Sequence, residues 1–280
     1  MEFKKGFKIK PKLILETGEV VFTDGTNDVF ANELSCKEYG YNYDTTTGTC
    51  YAYRYNNNLN KRAKNLDNKV LGIDNNINQT KYSLVNGTKN TTRGVSVNCF
   101  ISGQNNEITS DVSNVAILGG SHGLSLNQGE VLIGGGLLGS SETGSQQMSF
   151  VQLSKQSTTG STVDLALQNG STFISLQKSA IIGFEAHVIG LVLSGTDATP
   201  GQYRYYKITG ACKSDASLNP TFTQSTTTIA DGGLSPSAVP LFVASEESGF
   251  ITVRCTGITN VNINWYASVH LYVNRTTLDF

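Results

Sequence analysis

The chain has 280 residues, 15% of them charged, and a formal net charge of −1. That length accommodates two or three modest domains, each able to bury a core, and the charge balance leaves no basic footprint for nucleic acid. Gly, Ser, Thr and Asn are abundant and 12 Tyr and 12 Phe supply β-forming material, while long Ala, Leu, Glu and Lys runs are nearly absent, so the expected class is mainly β. No stretch approaches the ~20 apolar residues that cross a bilayer, so membrane insertion is not expected. The basic start Met1-Glu2-Phe3-Lys4-Lys5 leads into no apolar core and makes a poor signal peptide. Five cysteines, an odd number, do not make a disulfide framework; synthesis in a reducing compartment is the simpler reading.

Residues 1–58 form the first expected domain. Lys12–Leu15 and Val20–Phe22 flank Glu16-Thr17-Gly18-Glu19 as a hairpin, and Asp24-Gly25 supplies the next turn. Cys36 and Cys50 bracket Tyr39, Tyr41, Tyr43 and Thr47-Gly48, which reads as a second hairpin with an aromatic face. The two cysteines read as buried thiols on adjacent strands, with a disulfide or a metal site as alternatives. No CxxC and no neighbouring His completes a zinc set.

Over 59–80 the pattern becomes helical. Leu59, Ala63, Leu66, Val70, Ile73 and Ile77 are spaced four, three, four, three and four apart, the a/d seam of a coiled coil. A rod of roughly 28 Å follows from ~1.5 Å per residue. Isoleucine at both seam positions points to a trimer or higher assembly. The alternative is an ordinary amphipathic helix on the chain's own core, and Gly72 and Asn75-Asn76 weaken either helix.

Residues 81–141 carry a repeat. Ser83–Gly87, Cys99–Gly103, Val115–Gly119 and Val131–Gly135 are short apolar segments closing on glycine, with third residues at 85, 101, 117 and 133. A weaker column, seven residues on, runs through Thr92, Ile108, Leu124 and Ser140. Units this short become stable only by stacking, so a small β-roll or β-helix is expected.

The last domain, 142–280, reads as an antiparallel β-sandwich of about eight strands: 149–153, 162–167, 172–176, 183–193, 203–209, 242–244, 249–256 and 261–273. Asn169-Gly170, Thr199-Pro200-Gly201 and Asp231-Gly232-Gly233 mark turns between them.

Chemistry is sparsely signalled. Gly134-x-Gly136-x-x-Gly139 follows a strand but opens no helix, so it closes a repeat rather than binding a dinucleotide. His122, His187 and His270 stand apart in sequence, and no nucleophile motif accompanies them. His122 falls at a repeat corner, where three copies on an axis would hold an ion; an exposed corner is the plainer reading. The repeats lack the aspartates of calcium-binding rolls. Tyr203, Tyr205 and Tyr206 suit either sugar stacking or cross-strand packing. No catalytic residue, metal or cofactor is therefore assigned.

The repeats Asn98–Ile108 and Asn114–Leu124, with Gly183–Gly190, Tyr205–Ala211, Ile251–Gly257 and Ile263–Ala267 beyond them, resemble bacteriophage fibre and virion appendage proteins. The resemblance covers roughly residues 83–280. It implies a homotrimer in the virion, made in the host cytoplasm: an N-terminal anchor on other virion proteins, a shaft, and a knob. It implies a structural rather than enzymatic role. A glycan- or receptor-binding adhesin is the alternative, and a polysaccharide depolymerase a third.

Overall fold

A computed structural model describes residues 2–45, 47–52, 68–137, 142–168 and 170–276. The chain divides into two compact units, residues 1–66 and 67–280. In the first, β1 (Lys10–Ile14), β2 (Val20–Thr23) and β3 (Asp28–Val29) form an antiparallel sheet, with Ile14 opposite Val20 as the Thr17-Gly18 turn requires. Helix α1 (Glu33–Glu38) follows, then the hairpin of β4 (Asn42–Asp44) and β5 (Thr49–Tyr51).

Here the cysteine expectation is corrected: Cys36 lies on the helix, Cys50 on β5, and the two form a disulfide. The helix starts because Asn32 and Ser35 cap each other reciprocally, a local signal that the β reading passed over. Both sulfurs sit in the unit's small core with Val20, Phe22 and Ala31. A core of that size gains most from a covalent staple, worth ~2–4 kcal/mol.

The second unit begins with a β-solenoid of about four turns. Its turns are β6 (Lys69–Ile73) and β7 (Asn76–Ile77), β8 (Leu84–Thr88) and β9 (Thr91–Thr92), β10 (Phe100–Gln104) and β11 (Glu107–Ile108), then β12 (Ala116–Ser121) and β13 (Leu124–Ser125). β14 (Val131–Gly135) closes the stack, and all neighbouring turns pair in parallel.

The helical expectation is corrected at Val70, Ile73 and Ile77, which lie on strands β6 and β7; Leu59, Ala63 and Leu66 lie outside the described residues. Val70 stacks on Val85 and Ile77 on Thr92, so these residues are the first turn of the repeat. Within each turn the two inward columns stand about seven residues apart, and a heptad has the same spacing. Gly72 decides between them. Its φ is +98°, and a Cβ there would lie 1.9 Å from the Gly87 carbonyl oxygen, a close approach that the stack exploits and a helix does not need.

The columns also differ in register from the sequence pattern. Val85, Ile101, Ile117 and Leu132 form the buried column, while Ile133 faces outward. The aligned glycines include 103, 120 and 134 rather than 119 and 135. Two changes cause this. One extra residue in β12 bulges between Leu118 and Ser121 opposite Ser102 to Gln104 and moves the later positions of that turn one residue on. The path from Ser125 to Leu132 is two residues shorter than that from Ile108 to Ile117, which brings Leu132 and Gly134 into line. Ser125, not Leu124, stacks on Ile108, and Ser140 lies outside the described residues. Polar columns complete the interior. Asn75, Asn90 and Asn106 form a ladder in which each Oδ1 accepts the backbone N–H of the next turn, at 3.0 Å to Asn90, 3.1 Å to Asn106 and 2.8 Å to Gly123.

From β14 the sheet continues without a break. Strands β15 (Gln146–Ser157), β18 (Ala180–Gly195), β19 (Tyr203–Ser214), β20 (Pro220–Gly232) and β23 (Val261–Arg275) add antiparallel to it, in the order β14-β15-β23-β18-β19-β20. A smaller sheet of β16 (Thr162–Asp164), β17 (Ile174–Ser175), β21 (Leu241–Ala244) and β22 (Phe250–Thr256) shares a buried cluster with its inner face, including Phe184, Trp265, Phe242 and Val253. Strand β20 has no counterpart in the sequence reading. It is Thr-rich and only alternately half-buried, so it carries no apolar periodicity.

Candidate functional site

The outer face of the ten-stranded sheet holds a connected group of ionisable side chains. Alternation along β18 places Glu185 and His187 on that face; on β19 it places Tyr205 and Lys207 there, with His187 directly opposite Lys207. Glu185 accepts from Lys207 Nζ at 3.0 Å and meets His187 Nε2 at 3.1 Å, and Tyr205 Oη bonds His187 Nδ1. A neutral imidazole protonated on Nε2, receiving the Tyr205 hydroxyl on Nδ1, satisfies every partner. Lys207, and secondly His187, hold the Glu185 carboxyl below the usual range. His270, opposite Glu185 on β23, packs edge-on against Phe150. About a third of the Glu185, His187 and Lys207 side chains stays exposed, so the group is a surface network without a desolvated reaction chamber.

A second locus is a cleft of about 320 Å3 beside the small sheet, lined by Lys155, Asp164, Phe173, Glu246, Glu247 and Arg254. Its floor is the bidentate pair of Arg254 and Asp164, at 2.6 and 2.8 Å. Asp164 raises the Arg254 pKa further, which holds the guanidinium in its charged form. The free thiols Cys99, Cys212 and Cys255 are buried, and burial pushes all three up, Cys212 to about 11. None has the thiolate character of a nucleophile.

The residues singled out in the sequence distribute unevenly. His187 and His270, remote in sequence, come onto one face; His122 sits at the corner between β12 and β13 with φ +57°. Tyr203 and Tyr205 face outward, but Tyr206 is buried, with the Arg204 guanidinium 5.8 Å from its ring centre. Gly134 belongs to the repeat ladder, and Gly139 lies outside the described residues. Sequence reasoning missed Glu185, Lys207 and the Asp164–Arg254 pair, because each depends on strand partners that one sequence does not name. Among the described residues no group of three or more His, Cys, Asp or Glu is arranged to hold a metal ion, and no helix is long and apolar enough to cross a membrane.

No protein-family model matches the chain, and no curated protein matches it. Among solved structures it is similar to the tailspike protein of Acinetobacter phage vB_ApiP_P1, at 10% identity and a TM-score of 0.26, over 74% of this chain and 47% of that one. It is also similar to the tailspike protein of Acinetobacter baumannii phage AM24, at 8% identity and a TM-score of 0.25, over 75% of this chain and 49% of that one. The chain thus spans about half the length of these two proteins.

Proposed function

We propose that the chain is a structural subunit of a phage appendage, a homotrimeric fibre or spike on the head or tail of the virion. The observation that carries this reading is the continuous ladder: four solenoid turns pass into the C-terminal sheet as one ten-stranded structure, with β14 paired to β15 where spacer and end domain meet. Such a continuous ladder transmits load and sets a fixed distance. Residues 1–58 serve as the anchor on other virion proteins in this reading; Phe30, 86% exposed, and Leu34, 69% exposed, offer apolar contacts there. Leu59, Ala63 and Leu66 remain assigned to the trimer contact, and the C-terminal two-sheet domain, the expected sandwich, faces outward. Light scattering on the purified protein should return three chains per particle; a monomer would sink the reading. Its position in a density map of the intact particle would distinguish head from tail.

A second reading, a glycan- or receptor-binding end domain, is favoured by the polar cleft around Asp164 and Arg254 with Phe173 on its wall. Adsorption of the full-length protein to host cells tests it, with Arg254→Ala as the weakened variant. Reducing ends released from host capsule would move the assignment to a depolymerase.

A further inference from the structure

Strand pairing carries one side-chain face from the solenoid to the far end of the C-terminal sheet. Ile133 lies opposite Met148, Met148 opposite Tyr272, and Tyr272 opposite Gly183. The adjoining row runs Leu84, Phe100, Ala116, Val131, Phe150 and His270. Buried side chains of the solenoid and of the two-sheet core occupy the opposite face throughout. Large apolar groups stay uncovered on the outer face: Leu118 at 55%, Ile133 and Met148 at 43% and Tyr272 at 49% on one flank. Across the polar row of Glu185, His187 and Lys207, the other flank exposes Ile189, Leu191, Tyr203 and Tyr266, each near 40%.

We propose that this outer face is the surface through which copies of the chain pack on one another. The proposal rests on the homotrimeric reading above and supplies its main contact beyond Leu59, Ala63 and Leu66, now that Val70, Ile73 and Ile77 are strand residues. Size is the first argument. Ten strands about 4.8 Å apart, presenting two outward rows in the solenoid and five in the C-terminal sheet, cover on the order of 1,000 Å2. That whole face, polar row included, exceeds the ~800 Å2 that a stable interface takes from each partner.

Charge is the second argument. At the centre of the face Glu185 and Lys207 neutralise each other, and His187 and Tyr205 satisfy each other. Covering this row leaves no uncompensated charge, and the row offers nothing to an anionic lipid or a nucleic acid. A face with no net charge at its centre suits another copy of itself. In a threefold ring one apolar flank of each copy meets the opposite flank of the next, and the polar row lies toward the axis.

Two measurements on the full-length protein decide the matter. Met148 is the one methionine besides Met1, so peroxide oxidation followed by peptide mass spectrometry reads the face directly. Packing of copies should slow Met148 oxidation about tenfold relative to a Tyr272→Arg, Ile189→Arg double variant. The same variant should elute as a monomer with an unchanged circular dichroism spectrum, because both side chains point away from the core. A wild-type trimer whose Met148 oxidises as fast as in the variant overturns this interface and leaves the trimeric reading intact. A wild-type monomer overturns both.

Discussion

In the solenoid β8, β10, β12 and β14 each bury one apolar residue in the column Val85, Ile101, Ile117 and Leu132; in the C-terminal domain β18 alone buries Ala180, Ile182, Phe184, Ala186, Val188 and Val192. At ~1.5–3 kcal/mol for each large side chain, burial dominates the second region and is thin in the first. The solenoid makes up the difference with polar order. Thr80, Asn90, Thr92, Ser96 and Asn106 are all buried there, and they are paired: Thr80 with Thr92 at 2.6 Å, the asparagines along their ladder. One hydrogen-bonded sheet is therefore held by two balances of force. The stack depends on backbone proximity and satisfied polar columns, the end domain on volume.

Glycine substitutions should expose that difference most strongly. A Cβ on Gly87 would stand 1.9 Å from the Gly103 carbonyl oxygen at φ +121°, so neither the space nor the backbone angle admits it. Gly87→Ala should cost about 3 kcal/mol or more and free the amides of the neighbouring turns to hydrogen exchange. A Cβ on Gly190 would stand 2.5 Å from Trp265 Cζ3, an atom of a side chain, at an ordinary strand angle. Gly190→Ala should cost ~1–3 kcal/mol, absorbed by movement of the indole. Equal losses in the two melting curves would refute the distinction.

Asn106→Ala should come next, at ~1–3 kcal/mol. It removes the acceptor of the Gly123 N–H at 2.8 Å and a donor to Asn90 Oδ1 at 3.2 Å, both inside the stack. The Gly123 amide should lose exchange protection while amides of β18 and β23 keep theirs. Retained protection at Gly123 would mean that the ladder is incidental to the stack.

Much of this contrast was legible in the sequence. The apolar segments ending on glycine announced the stack, and alternation announced most strands of the end domain. The first turn was misread because Val70 and Ile77 stand seven residues apart, a spacing shared by a heptad and by the two inward columns of one turn. The register of the last strand was misread because the connection from Ser125 to Leu132 is two residues shorter than that from Ile108 to Ile117. That shortening outweighs the extra residue of β12 and brings Leu132 into the column, and neither change leaves a periodic trace. Strand β20 was missed because its pairing needs no apolar face. At the candidate loci, Glu185 and His187 were readable as same-face neighbours at i, i+2, but Lys207 and Arg254 enter only through strand partners distant in sequence.

The smallest predicted effect lies at the junction of the two regions. Glu130 ends the buried column of Ser83, Cys99 and Val115, and its carboxylate accepts from Ser125 Oγ at 2.8 Å, Leu126 N at 3.0 Å and the Asn127 side chain at 3.2 Å. Asn127 Oδ1 in turn takes the Ser175 N–H at 2.8 Å, tying the last turn to β17. Burial pushes the Glu130 carboxyl up from its ordinary value of 4.5, against the pull of those hydrogen bonds. Between 4.5 and the raised value the folded chain holds a proton that the unfolded chain has lost. Stability contributed here therefore falls as pH rises through that window, and the loss persists above it. Glu130→Gln removes this titration. Its amide would set a donor against Asn127 Nδ2, which cannot turn over while Asn127 Oδ1 accepts from Ser175, so the informative quantity is the slope with pH rather than the absolute stability. Denaturant melts from pH 4.5 to 8 should show the variant gaining on the wild type as pH rises. Parallel curves would place Glu130 outside the titrating groups of the fold, and the junction would then rest on the neutral Asn127–Ser175 link.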